Sequence, residues 1–190
     1  MAPFDPARYP GPVAALLGEP RLMPLDAGEP NGAAFEPLSA LDEARLCDGH
    51  AVRDREMARA CQAGLWLYHG FLDDSHRISQ SLHGREGSYW HGIMHRREGD
   101  YANAKYWFRR VGAHPIHEPL GLSARALASE AGASDASVGA SGTWDAAGFV
   151  DLCAAACAGQ SGARDLCQRI QGREWQLLFD YCYRRAVGGG

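Results

Sequence analysis

One lysine stands against eighteen arginines in this chain, a bias that points to a GC-rich gene and to no particular chemistry. Other shortages exclude more. No run of eighteen apolar residues occurs, so no transmembrane helix is expected. The N-terminal stretch MAPFDPARYPGPVAALLGEP has no basic segment leading into an apolar core. A signal peptide is therefore not expected, and the expected location is the cytoplasm. There is no G-x-S-x-G elbow and no glycine-rich phosphate loop, which sets aside the usual serine-hydrolase and nucleotide-binding arrangements. No cofactor fingerprint is present, so hydrolysis or proton abstraction is more natural than redox chemistry. No strand-period alternation of useful length appears, and the chain reads as all-α. C-x-x-C is absent as well. Of the six cysteines, only Cys153 and Cys157 stand close, one helical turn apart. Most lie in apolar helical patterns, so they are expected as free buried thiols rather than disulfides or a zinc-thiolate site.

What is present is an ordinary globular composition, 46% hydrophobic and 22% charged, in 190 residues. That suits one domain. The net charge of −4 hides a segregation. Residues 76–117 carry seven Lys/Arg and three Asp/Glu, a balance of +4, and six of the eight histidines. The rest of the chain balances at −8. A local positive field on an acidic protein favours a small anionic ligand. It is too small for nucleic acid, and neither nucleic acid nor membrane is an expected partner.

Eight of the ten prolines fall in residues 1–38. Proline fixes φ and removes a donor, so this stretch is expected as an irregular arm around a helical body, with a short helix at VAALLG. Residues 39–187 form the body. Ser39 is a candidate cap for a helix over ALDEARLCDG, ended by Gly49. A longer helix runs from about Val52 to Gly70, burying Met57, Cys61, Leu65, Tyr68 and Leu72. LDD at 72–74 reads as a turn, SHRISQSL as a short helix and HGREG at 83–87 as a loop. A hairpin follows: Tyr89 to Glu98, a turn at Gly99-Asp100-Tyr101, then Ala102 to Val111. GAHPIHEP reads as a loop. Residues 129–142, rich in Ala, Ser and Gly, read as a flexible loop. Thr143 is a candidate cap for a helix over Asp145 to Ala158. A last helix from Ala163 to Arg185 buries Leu166, Ile170, Trp175, Leu178, Phe179 and Cys182.

Within the hairpin, Gly92 at the crossing, the Gly99-Asp100-Tyr101 turn, and Ala104 and Phe108 packing back resemble one tetratricopeptide-type unit over about twenty-five residues. The segments DDSHRISQ, GSYWHGIMHRREGDYANAKYWFRRVGAHP and EWQLLFDYC together resemble a group of uncharacterised bacterial proteins, across residues 52–185. That resemblance implies one domain and no particular chemistry.

The candidate site lies in the 75–111 region. His91, His95 and Glu98 fall within about 60° of helical arc. Two imidazoles one turn apart can chelate a divalent metal, and a carboxylate on the same stripe can act as third ligand or base. His76 on the neighbouring element is a natural extra ligand. The expected catalytic set is His76, His91, His95 and Glu98, with His91 and His95 as metal ligands. Arg96, Arg97, Arg109 and Arg110 are expected to hold an anionic or polyol ligand, with Trp90 and Trp107 stacking against it. The plainer alternative makes the histidines core residues, the arginines surface charges at a helix end, and the tryptophans packing. Glu174 is expected at the surface. If it faces inward, it needs an Arg or His partner. Two functional readings follow: a small-molecule pocket, metal-assisted or metal-free, or a non-catalytic TPR-like interaction module presenting Trp and Arg to a partner protein.

Overall fold

A computed structural model describes residues 4–133, 144–160 and 162–189. All regular structure in them is helical, and the helices share one hydrophobic core. The ten α-helices are α1 (Gly11–Leu17), α2 (Phe35–Ser39), α3 (Glu43–Leu46), α4 (Arg55–Tyr68), α5 (Leu72–Ser79), α6 (Arg85–Glu98), α7 (Tyr101–Val111), α8 (His117–Glu130), α9 (Ala146–Cys157) and α10 (Arg164–Val187). None is long and apolar enough to cross a membrane.

The proline-rich arm is irregular apart from two 3-10 turns and the short α1, α2 pair. It still supplies core: Val13, Leu17, Met23 and Leu25 are buried, and Tyr9 sits edge-on to Phe179 and Tyr183. The helical body begins with a short α3, capped by Asp42 rather than Ser39. An aspartate before E-A-R has its carboxylate free to take the Arg45 amide, at 2.8 Å. Asp54 caps α4 in the same way, through Met57.

Three boundaries differ from the sequence expectation. LDD is the first turn of α5, not a turn before it. Acidic residues there complement the positive end of the helix dipole, so an apparent turn signal is a helix start. The HGREG loop likewise closes early, and α6 begins at Arg85. Glu56 of α4 accepts hydrogen bonds from the His83 and Gly84 amides at 2.7 and 2.6 Å, which fixes that entry. The third is α8, which begins at His117 inside the expected loop. Pro119 lies in its first turn, where a missing N–H costs nothing. Ser129 and Glu130 end this helix. Most of the expected 129–142 loop, with Thr143, lies outside the described residues. Asp145 caps α9 through the Gly148 amide.

α6 is the centre of the body. Twelve of its fourteen residues are buried, because α4, α5, α7 and α9 all pack against it. A helix buried on nearly every side has no solvent face for its charges, so Arg96 and Arg97 on it need partners inside the protein. The α6–α7 hairpin turns at Gly99, whose φ of +84° suits glycine. Gly92 faces the ring of Phe108 at a distance where an added Cβ would sit 3.1 Å from it.

The tightest crossing is between α4 and α6. A Cβ on Gly64 would lie 2.7 Å from the Trp90 indole, whose neighbour Trp175 donates from Nε1 to the Gly64 carbonyl at 2.7 Å. Alanine has the better helix propensity by about 1 kcal/mol. Overpacking against a fully buried indole outweighs that, so Gly64→Ala should lose about 1–3 kcal/mol in urea unfolding. Unchanged or raised stability would show that the crossing is looser than described.

Candidate functional site

The histidines of α5 and α6 meet. His76 is presented by α5, and His91 and His95 are one turn apart on the α6 face turned toward α5 and α7. Their ring centroids are separated by 4.5 Å (His76–His91), 4.8 Å (His91–His95) and 5.4 Å (His76–His95). One ligand nitrogen from each lies within 4.8 Å of the other two. His91 and His95 are buried and His76 is half-buried, so the cluster is reached from the His76 side.

Each imidazole has a distinct set of neighbours. His95 Nδ1 is 2.9 Å from Glu98 Oε2, and Asn103 Nδ2 is 3.1 Å from His95 Nε2. The carboxylate accepts from Nδ1–H, which leaves the Nε2 lone pair facing Asn103 and the cluster. Asp100 places Asn103 by capping α7: its carboxylate accepts from the Asn103 amide at 3.1 Å. His91 Nδ1 is 3.5 Å from Ser79 Oγ, a long contact. The same ring stacks on Trp107 at 4.0 Å with planes 23° apart. Burial, then the neighbouring His76 and His95, lower the His91 pKa to about 3. At neutral pH His91 is an uncharged imidazole. The His76 side chain has no hydrogen-bond partner among the described residues.

Of the residues expected at the site, His76, His91, His95 and Glu98 come together, with Trp107 against them. Arg110 lies over the Trp107 ring at 5.3 Å, and both Arg109 and Arg110 are exposed on α7. The others are placed elsewhere. Arg96 is fully buried and binds Glu174 Oε2 at 2.5 Å and Gln171 Oε1 at 3.2 Å. Its guanidinium lies over Phe149 at 4.7 Å. Glu174, expected at the surface, is fully buried on α10 as that partner. Arg97 reaches the other way and donates to the carbonyls of Leu67, Asp26 and Ala27, which ties the arm to the end of α4. Trp90 is fully buried beside Trp175.

Ser79 and Asn103 belong to the site and were not expected there in this role. For Ser79 the signal was its place three residues after His76. For Asn103 it was its place three residues after a capping aspartate, which aims it back across the turn toward His95. The six cysteines are free, five of them buried, as their apolar settings predict. A second imidazole group forms where α8 begins: buried His114 lies 3.5 Å from Glu86 and edge-on to Tyr89.

Fold and site thus define an all-α protein with a compact three-histidine cluster. No family model, curated protein or solved structure matches this chain.

Proposed function

We propose that His76, His91 and His95 bind one divalent transition-metal ion, of which zinc fits best, and that the open coordination position is where a small ligand is handled. The observation that carries this reading is the convergence of three imidazole nitrogens within 4.8 Å, one of them on a ring held neutral by its surroundings. Tetrahedral zinc with Zn–N bonds of about 2.0–2.1 Å needs nitrogens about 3.4 Å apart. The nitrogens must therefore draw together on binding, and half-buried His76 is the least confined of the three rings. Glu98 supports the reading as the carboxylate behind His95, orienting the ring and raising its basicity. Metal binding at His95 Nε2 would exchange the Asn103 hydrogen bond for a coordinate bond.

Three protein ligands leave a fourth position for water, which a bound zinc acidifies to a pKa of about 7. The reaction class that follows is metal-assisted hydrolysis or proton abstraction on a small anionic or polyol ligand. Arg110 and Trp107 are the expected ligand-contacting groups nearest the cluster, whereas Arg109 lies on the other side of α7, on the face of Lys105. Arg96, Arg97 and Trp90 take no part, because the protein interior occupies them.

Cobalt(II) tests this directly, since tetrahedral cobalt absorbs strongly in the visible. Titration of metal-free protein should saturate at about one equivalent with such bands. His91→Ala should abolish them with helical content retained, and Glu98→Gln should weaken binding by about 10–100-fold. Only weak octahedral bands, or a spectrum unchanged by His91→Ala, would end the proposal.

A further inference from the structure

Asn103 holds the lone pair of His95 that a metal ion would take. Its amide nitrogen lies 3.1 Å from His95 Nε2, while Glu98 Oε2 lies 2.9 Å from Nδ1 of the same ring. A carboxylate only accepts, so Nδ1 carries the proton and Nε2 is the acceptor. Asn103 therefore turns an N–H, not its oxygen, toward the ring. Its backbone is fixed in the first turn of α7 by the Asp100 carboxylate, 3.1 Å from its amide nitrogen. Trp107, one turn further along the same face, is stacked on His91. Among the described residues the Asn103 side chain bonds to His95 alone.

A bond of about 2.0–2.1 Å from His95 Nε2 along that lone pair would bring the ion within about 1 Å of the present Asn103 nitrogen. The amide must give way. Having lost the imidazole as its acceptor, the N–H needs another. The nearest new acceptor is an oxygen bound at the ion's open position.

Charge decides what carries that oxygen. A divalent ion brings +2, the three imidazoles bind as neutral ligands, and Glu98 behind His95 brings −1. The balance is +1, which one singly charged ligand completes. Asn103 adds a neutral donor and no second cation. Lys105 is paired with Asp151 and Arg77 with Asp74. Arg110 lies over Trp107, seven residues beyond Asn103 and so about 10 Å along the helix axis, out of reach of a group bound to the ion.

We propose that the metal ion and the Asn103 N–H together receive a carboxylate group of the small molecule handled at this site. One carboxylate oxygen binds the ion and the other accepts from Asn103. The inference rests on the metal reading above and deepens it by naming the ligand class and the residue that selects it. A one-atom anion offers no second oxygen to Asn103, and the second charge of a phosphate finds no cation there.

Full-length protein loaded with cobalt(II) and titrated with sodium acetate, sodium chloride or inorganic phosphate at pH 7.5 tests it through the visible bands. Acetate should shift the bands saturably and bind tighter than chloride or phosphate. Asn103→Leu should still take up about one equivalent of cobalt. It should weaken acetate by about tenfold or more and leave chloride within about twofold. Asn103→Gln, which keeps the amide, should recover part of the acetate affinity. Tetrahedral bands that never form would overturn the metal reading and this inference with it. Bands that form while acetate binds no tighter than chloride or phosphate would overturn this inference alone. So would an Asn103→Leu protein that binds acetate as the wild type does, or that loses acetate and chloride equally. If Asn103→Leu fails to fold or to load, the wild-type order of the three anions decides.

Discussion

Metal-free protein should lose about 5 kcal/mol of stability between pH 6.5 and pH 5, largely before its ordinary carboxylates titrate. Three histidines carry depressed pKa values in the folded state: His69 at about 4, His91 at about 3 and His117 at about 4. Burial is the main cause in each. Arg21 adds to it at His69, His76 and His95 at His91, and His114 at His117. In the unfolded chain all three titrate near 6.5. Below that pH the unfolded chain takes up protons that the folded chain refuses. Their contribution is therefore fully present above pH 6.5 and is lost as pH falls toward the folded-state values. Each such proton is worth about 1.4 kcal/mol per pH unit, and half-buried His117 counts for less than the other two. The steepest slope is then about 3–4 kcal/mol per pH unit. By pH 5 the three rings together remove about 5 kcal/mol, a third or more of a typical total of about 5–15 kcal/mol. Glu86, held below its usual range by His114 despite burial, extends the loss at lower pH. Urea unfolding at pH 7, 6 and 5 with a chelator present is the check. A flat stability across that range would mean the three rings are solvated as in the unfolded chain.

Removing Glu174 alone should be nearly as damaging. Among the described residues its carboxylate is the only acidic partner of Arg96, and both side chains have no exposed surface. Arg96 Nε and Nη1 already lack partners among the described residues, as does Glu174 Oε1. Glu174→Leu leaves a buried guanidinium with Gln171 and two aromatic faces, and should cost about 3–5 kcal/mol. Arg96→Met should cost a similar amount for the mirror reason. The double variant removes both charges and fills the space with apolar groups, so its loss should be well below the sum of the singles. A urea-unfolding double-mutant cycle reads this coupling. Additive losses, or a single-variant loss below about 1 kcal/mol, would mean that the pair is hydrated and not held in the interior.

This pair also marks where sequence reading stopped. The last helix and its stripe, Leu166 to Cys182, were legible because apolar residues at three- and four-residue steps have one physical meaning. Glu174 was not, because a glutamate on a long helix goes to solvent unless a particular arginine from another helix meets it. That meeting is set by how α6 and α10 cross, and periodicity carries no such information. Arg96 and Arg97 looked like helix-end charges for the same reason. Adjacent on α6, they point about 100° apart on a helix that is surrounded, so each meets different neighbours, Glu174 for Arg96 and the Leu67 carbonyl for Arg97. The histidine stripe was more legible. His91, His95 and Glu98 share a face by helix geometry alone, and His76 lay on the element just before. Asn103 and Ser79 needed the hairpin angle.

The most direct test of the metal reading is the metal content of the protein itself, purified without a histidine tag or chelator and measured by plasma mass spectrometry. About one zinc-type ion per chain is expected, retained through gel filtration and lost in both His76→Ala and His91→Ala. Protein that arrives metal-free, takes up no zinc, cobalt, nickel or manganese on incubation, and keeps its melting temperature in their presence would contradict it. The three imidazoles would then be packing partners of Trp107 and Glu98, and nothing more.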